Sequence, residues 1–192
     1  MNKIMFNDKY KLTKAVLEGR KTMTRRLVPE NVIIDGKVFA FNKQDPHEAL
    51  RTYILSKATY KVGDIVAIAQ GYIDIYSPTD FYSVERAQRV MSSAGWLNKM
   101  FVRAEDMPHR IRITDVKAEH LQEISDDDCL KEGIFALKDP ALRPLMVYSF
   151  IGGDVFDIPQ AAFRSLFAKT TGKPELWDMD GWVYVYEFEL VS

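Results

Sequence analysis

Cysteine is almost missing from this chain: Cys129 stands alone among 192 residues. No disulfide can form within the chain, and such a composition suits a reducing compartment. Histidine is scarce too, and His47, His109 and His120 are scattered. One cysteine and dispersed histidines make no zinc pattern. No apolar run approaches the ~20 residues of a membrane helix, and the first dozen residues lack the apolar stretch of a secretion signal. The expectation is a cytoplasmic protein with no membrane partner, no metal and no cofactor. Strong charge of one sign is also missing. With a net charge of -1, the molecule as a whole does not attract nucleic acid, so any such binding must come from a local basic patch. There is no internal repeat, low-complexity tract or linker.

What is present is an ordinary globular composition, 47% hydrophobic and 28% charged, long enough to bury a core without staples. Lys3 to Phe6 reads as a short strand. Asn7 or Asp8 then caps a helix with Leu12, Ala15 and Val16 on one face and Gly19 as its stop. Val32 to Phe41 reads as a hairpin turning at Asp35-Gly36, and Asp45-Pro46 opens a helix reaching about Lys57. Ile65 to Ile68 forms an apolar run typical of a strand buried on both faces. Phe81 to Met91 reads as helical and Lys99 to Arg103 as extended. Arg110 to Ala118 is a strand whose phase slips near Thr114-Asp115, the mark of a bulge. Ser125 caps a short helix that Gly133 ends, and Pro159 to Thr170 forms another that Gly172 stops. Trp182 to Leu190 is the clearest strand, alternating Trp182, Tyr184, Tyr186 and Phe188 with Val183, Val185 and Glu187. Short strands mixed with short helices predict an α+β fold in a single domain, 1–192.

The segment Arg20-Lys21-Thr22-Met23-Thr24-Arg25-Arg26 places four cations and two threonines in seven positions. Its plain reading is a solvated basic strand. Its functional reading is a ligand site, where arginines grip an anionic group and hydroxyls add neutral hydrogen bonds. On a regular strand Lys21 and Thr24 would face opposite sides, whereas a turn or bulge would bring them together. A converged pair makes sense as base and nucleophile, because a threonine hydroxyl is inert until a neighbour takes its proton. The lysine would then need a lowered pKa, which Arg20, Arg25 and Arg26 would promote. Glu132 ends a short helix, where the dipole disfavours a carboxylate; it reads either as a surface glutamate, at little cost, or as a carboxylate that reaches a cation such as Lys21.

Gly19-Arg20-Lys21-Thr22-Met23-Thr24 resembles the G-R-K-T-x-T signature of the ASCH-domain family. Tyr60-Lys61-Val62-Gly63-Asp64-Ile65, the stretch Ile111 to Gly133 with Leu121-Gln122-Glu123-Ile124, and the closing Trp182 to Phe188 agree in order. The run is similar to the longer ASCH proteins of phages and prophages. The resemblance implies a PUA-like small β-barrel with flanking helices and a role with RNA or a nucleoside. A smaller bacterial relative is an amidohydrolase that removes acetyl groups from N-acetylated cytidine. Its catalytic lysine, threonine and glutamate fall on Lys21, Thr24 and Glu132. The chain departs from that enzyme in carrying Arg25-Arg26, where the relative has an apolar residue and one arginine. Residues 29–59, 71–98 and 135–158 are extra. Longer members carry a tryptophan where this chain reads Ala69-Gln70-Gly71-Tyr72.

The candidate catalytic residues are therefore Lys21, Thr24 and Glu132, and the candidate ligand contacts are Arg20, Thr22, Arg25, Arg26 and Trp177, the last placed in a loop where it could stack on a base. Asp178 and Asp180 read as turn formers. Three functions compete. The chain is an amidohydrolase of N-acylated cytidine-type substrates, an RNA-binding module without catalysis, or an accessory phage protein with a vestigial cleft. An enzyme needs an enclosed pocket holding Lys21, Thr24 and Glu132, whereas RNA binding needs an open basic groove with exposed aromatics.

Overall fold

The computed structural model describes residues 2–28, 31–34, 37–40, 48–138 and 146–191. Its centre is a five-stranded sheet in the order β1 (Lys3–Ile4), β5 (Ile65–Ile68), β6 (Arg110–His120), β9 (Trp182–Val191), β2 (Met23–Leu27). β1 runs parallel to β5, and every other neighbour is antiparallel. Two separate hairpins pair β3 (Asn31–Ile34) with β4 (Lys37–Ala40) and β7 (Phe135–Lys138) with β8 (Met146–Ser149). The expected turn at Asp35-Gly36 and the helix start at Asp45-Pro46 lie outside the described residues, and α2 (Glu48–Ser56) falls within the span expected for that helix. The remaining helices are α1 (Leu12–Leu17), α3 (Tyr72–Ile75), α4 (Val84–Met91), α5 (Asp126–Lys131), α6 (Pro159–Thr171) and α7 (Glu175–Met179).

The strands read from Ile65, Ile111 and Trp182 lie side by side in this sheet, and the α+β class holds. β6 and β9 form its long central ladder, and their register slips between Ile113 and Asp115, where a bulge was expected. β9 is buried on both faces from Trp182 to Tyr186. Tyr186 meets Tyr60 edge-on at 5.2 Å, and its hydroxyl accepts from the Thr59 N–H at 3.1 Å. Trp182 stacks on His120 at 4.4 Å. The strand Ile65–Ile68 is buried from Val66 onward.

The sheet is open, not closed into a barrel. β1 and β2 are its two edges and do not hydrogen-bond to each other among the described residues. They meet instead through a side chain, the Arg26 guanidinium donating to the carbonyl of Met5 just beyond β1. β1 pairs over only two residues, too few to carry the ladder around to β2.

Local details depart from the sequence reading in four places. α1 begins at Leu12 after Lys11 in the left-handed region, and neither Asn7 nor Asp8 caps it as Ser125 caps α5. Asp8 instead accepts from the Thr13 hydroxyl and pairs with Lys99 at 2.6 Å. Helix α4 starts three residues later than Phe81, capped by Ser83. Lys99–Phe101 is a single 3-10 turn, because Asn98 caps it, and not an extended segment. Trp177 lies in α7 and not in a loop.

Candidate active site

Short-range backbone bonds place Lys21. Gly19 ends α1 with φ 71, and the Arg20 and Lys21 N–H groups both donate to Ala15 O at 2.9 and 3.0 Å. The Thr22 N–H donates to Lys131 O at 2.9 Å, which pins the turn to the end of α5. Gly133 leaves that helix with φ 106, and a Cβ there would lie 3.3 Å from Leu12 and 3.9 Å from the Lys21 Cβ. Only glycine combines this φ with so close an approach. Lys21 precedes β2, so strand alternation does not separate it from Thr24.

The Lys21 ammonium donates to Glu132 Oε2 at 2.6 Å and to the Glu132 carbonyl at 2.8 Å. It thus satisfies a carbonyl at the helix end while pairing the carboxylate that the dipole disfavours there. Both side chains are sealed, with Lys21 at 2% exposure and Glu132 at 5%. Burial pushes the Lys21 pKa below its ordinary value, Glu132 opposes the shift, and Arg26 and Arg25 add smaller downward pushes. The expected direction is present, but burial is its largest cause, and Arg20 is not among the leading ones.

Arg25 is the largest correction. It does not present its guanidinium to a ligand. Its side chain, 1% exposed, meets Glu119 at 2.5 Å, Asp128 at 3.0 Å and Glu132 at 3.3 Å. Burial disfavours its charge, yet these carboxylates outweigh that and hold its pKa above the ordinary value. Lys21 and Arg25 together face Glu119, Asp128 and Glu132, so the cluster has no cation left over for a phosphate. Glu119 and Asp128 were not among the candidates. Asp128, in the first turn of α5, and Glu132, at its C-cap, stand four apart, where like charges repel unless a cation lies between them; for Asp128 that spacing was the available signal.

Lys21, Thr24, Arg25, Arg26 and Glu132 all line one cavity of about 380 Å³. It lies at the open seam of the sheet. Met5, Phe6 and Asn7, following β1, form one wall, and Thr24 to Leu27 of β2 form another. Helix α6 covers it with Phe163, Leu166 and Phe167 and with two threonines of its last turn. Thr24 is buried, at 5% exposure. Arg26 stays at the cavity, beside the Phe6 ring at 5.9 Å.

Three candidates are not brought there. Arg20 is exposed and paired with Glu18. Thr22 spends its main chain on Lys131 and Phe188 and is absent from the wall. Trp177 packs edge-on against Phe163 at 6.1 Å, behind the wall and not on it. Asp178 pairs with Arg164 and Asp180 accepts from the Gln122 N–H at 2.7 Å, consistent with structural roles. Cys129 is buried, and burial pushes its thiol up to about 12. Among the described residues no group of three or more His, Cys, Asp or Glu could hold a metal ion, and no helix is long and apolar enough to cross a membrane.

No family model matches the chain, and no curated protein matches it. Among solved structures, the chain is similar to the crystal structure of protein EF3133 from Enterococcus faecalis V583, of family DUF984, at 14% identity and a TM-score of 0.40, covering 94% of this chain and 67% of that one.

Proposed function

We propose that this protein is a cytoplasmic amidohydrolase acting on a small neutral N-acyl compound of the N-acylated cytidine type. The observation that carries the reading is the sealed Lys21–Glu132 pair on the wall of the cavity that also holds Thr24. A lysine whose proton is loosened by burial is a fit base for a threonine hydroxyl.

The chemistry follows from those groups. Lys21, in its neutral form, takes the proton from the Thr24 hydroxyl as the oxygen bonds to the amide carbonyl carbon. The C–N bond then breaks, and the lysine ammonium returns the proton to the leaving amine. Water hydrolyses the resulting threonine ester, its proton passing through Lys21, and restores the hydroxyl. Glu132 orients the lysine and steadies its charged form. Arg26 contributes the cation nearest the cavity that is not locked among carboxylates.

The alternative, an RNA-binding module, would call for an open basic groove. The pairing of Arg25 with three carboxylates and of Arg20 with Glu18 weighs against it, since phosphate recognition relies on available cations. The test is to incubate the purified protein with N4-acetylcytidine and related acylated nucleosides and to measure the free amine and acetate released. In parallel, binding to short single-stranded RNAs is measured over a range of salt. Release of acetate with no salt-sensitive RNA binding supports the hydrolase. Salt-sensitive RNA binding without hydrolysis of any acylated nucleoside supports the binding module.

A further inference from the structure

Among the described residues β2 is an edge strand, so half of its main-chain groups have no partner strand there. Its ladder to β9 is bracketed by the Phe188 N–H donating to Thr22 O at 2.9 Å and the Val28 N–H donating to Trp182 O at 3.0 Å. In an antiparallel ladder, directly opposed residues alternate between exchanging two hydrogen bonds and exchanging none. Thr24–Tyr186 and Arg26–Tyr184 are therefore the bonded pairs. Met23, Arg25 and Leu27, opposite Glu187, Val185 and Val183, turn their N–H and C=O groups away from β9.

Two of these residues, Arg25 and Leu27, belong to the cavity wall. Arg25 is the informative one. Its side chain is 1% exposed, while the residue as a whole keeps 6%. The exposure that remains on Arg25 therefore lies on its main chain. A strand N–H and C=O of one residue lie side by side and are obligate hydrogen-bonding groups.

We propose that the Arg25 main-chain N–H and C=O are the recognition edge of this cavity, and that the ligand they take is a neutral planar ring with a donor next to an acceptor, as in an aminopyrimidine or its N-acyl derivative. The proposal rests on the hydrolase reading of the same cavity and names the group it selects. The Arg25 N–H donates to a ring nitrogen, and the Arg25 C=O accepts from the adjacent exocyclic N–H. The rings of Phe6, Phe163 and Phe167 on the wall suit a flat guest. Lys21 and Arg25 are already matched by carboxylates, so neither is available to an anionic guest. An extended peptide is the other common guest of a strand edge, but it needs successive residues of β2. Arg26, one residue beyond Arg25, crosses the seam to Met5 and closes that path.

The test changes the ligand and leaves the protein intact. Cytidine carries an exocyclic N–H beside a ring nitrogen, and N4,N4-dimethylcytidine has lost that donor. Each is titrated into 15N-labelled wild-type protein, with affinity read by calorimetry and the Arg25 amide followed by NMR. The expected result is that cytidine binds and moves the Arg25 amide proton downfield. The dimethyl analogue binds about tenfold more weakly or worse and leaves that signal in place. Equal affinity for the two, cytidine binding with the Arg25 amide unmoved, or no cytidine binding overturns the recognition edge. Hydrolysis of N4-acetylcytidine alongside any of those results leaves the hydrolase standing. Cytidine binding with the Arg25 shift but no hydrolysis does the reverse.

Discussion

The ion pairs on the β6–β9 ladder and those at the seam use the same residue types and behave differently. Arg112–Glu189, at 2.8 Å, has side chains 51% and 54% exposed. Lys21–Glu132, at 2.6 Å, is 2% and 5% exposed. Water screens the first pair, so its partners are nearly independent of each other. At the seam each charge depends on the next. Arg25 holds one Glu132 oxygen and Lys21 the other, and burial converts that geometry into a loosened lysine proton. Distance alone does not separate the two pairs. Burial does.

The contrast is open to attack by substitution. Arg25→Met should have the largest effect on stability, a loss of about 3–5 kcal/mol in urea denaturation at pH 7, because it leaves three carboxylates buried or half-buried without their cation. Lys21→Met should cost less, about 1–3 kcal/mol, since Glu132 keeps Arg25. It should also change the pH dependence of stability. Lys21 binds its proton less tightly folded than unfolded, so below the ordinary 10.5 the unfolded chain holds more protons. Stability therefore rises with pH across the window beneath that value, and Lys21→Met should flatten the rise. Arg26→Met should move the ascending limb of the pH–rate profile to higher pH, because losing a nearby cation stabilises the Lys21 ammonium. Arg112→Ala should do least, below about 1 kcal/mol in the same denaturation experiment. An Arg112 effect matching that of Arg25 would erase the distinction between the two regions.

The sequence carried the sheet better than the site. Period-two alternation marked β9, the slipped phase marked the bulge after Ile113, and Ser125 with three following aspartates marked α5. These are local signals, complete within a few residues. Glu132 was half legible: a carboxylate at a helix end reads as a surface residue or as a cation's partner, and the family resemblance singled it out. The fates of the arginines were not. Arg20, Arg25 and Arg26 read alike, and what separates them is where β2 starts and which face each residue takes. With β2 starting at Met23, Arg25 shares its face with Val185 and Arg26 shares the other with Tyr184, while Arg20 stays in the turn. Glu119 reaches Arg25 from 94 residues away, a separation no local pattern reports. The open seam was equally hidden, because closing a barrel depends on the length of β1, and Lys3 to Phe6 reads longer than the two residues that pair.

The most direct measurement is the initial rate of N4-acetylcytidine hydrolysis by wild type, Thr24→Ala, Lys21→Ala and the double variant, each shown to be folded by its urea midpoint. Nucleophile and base work as one unit, so each single variant should lose about 10³-fold or more, and the double variant should be little worse than either. A wild type that releases no acetate, or a Thr24→Ala variant that turns over at the wild-type rate, would contradict the account.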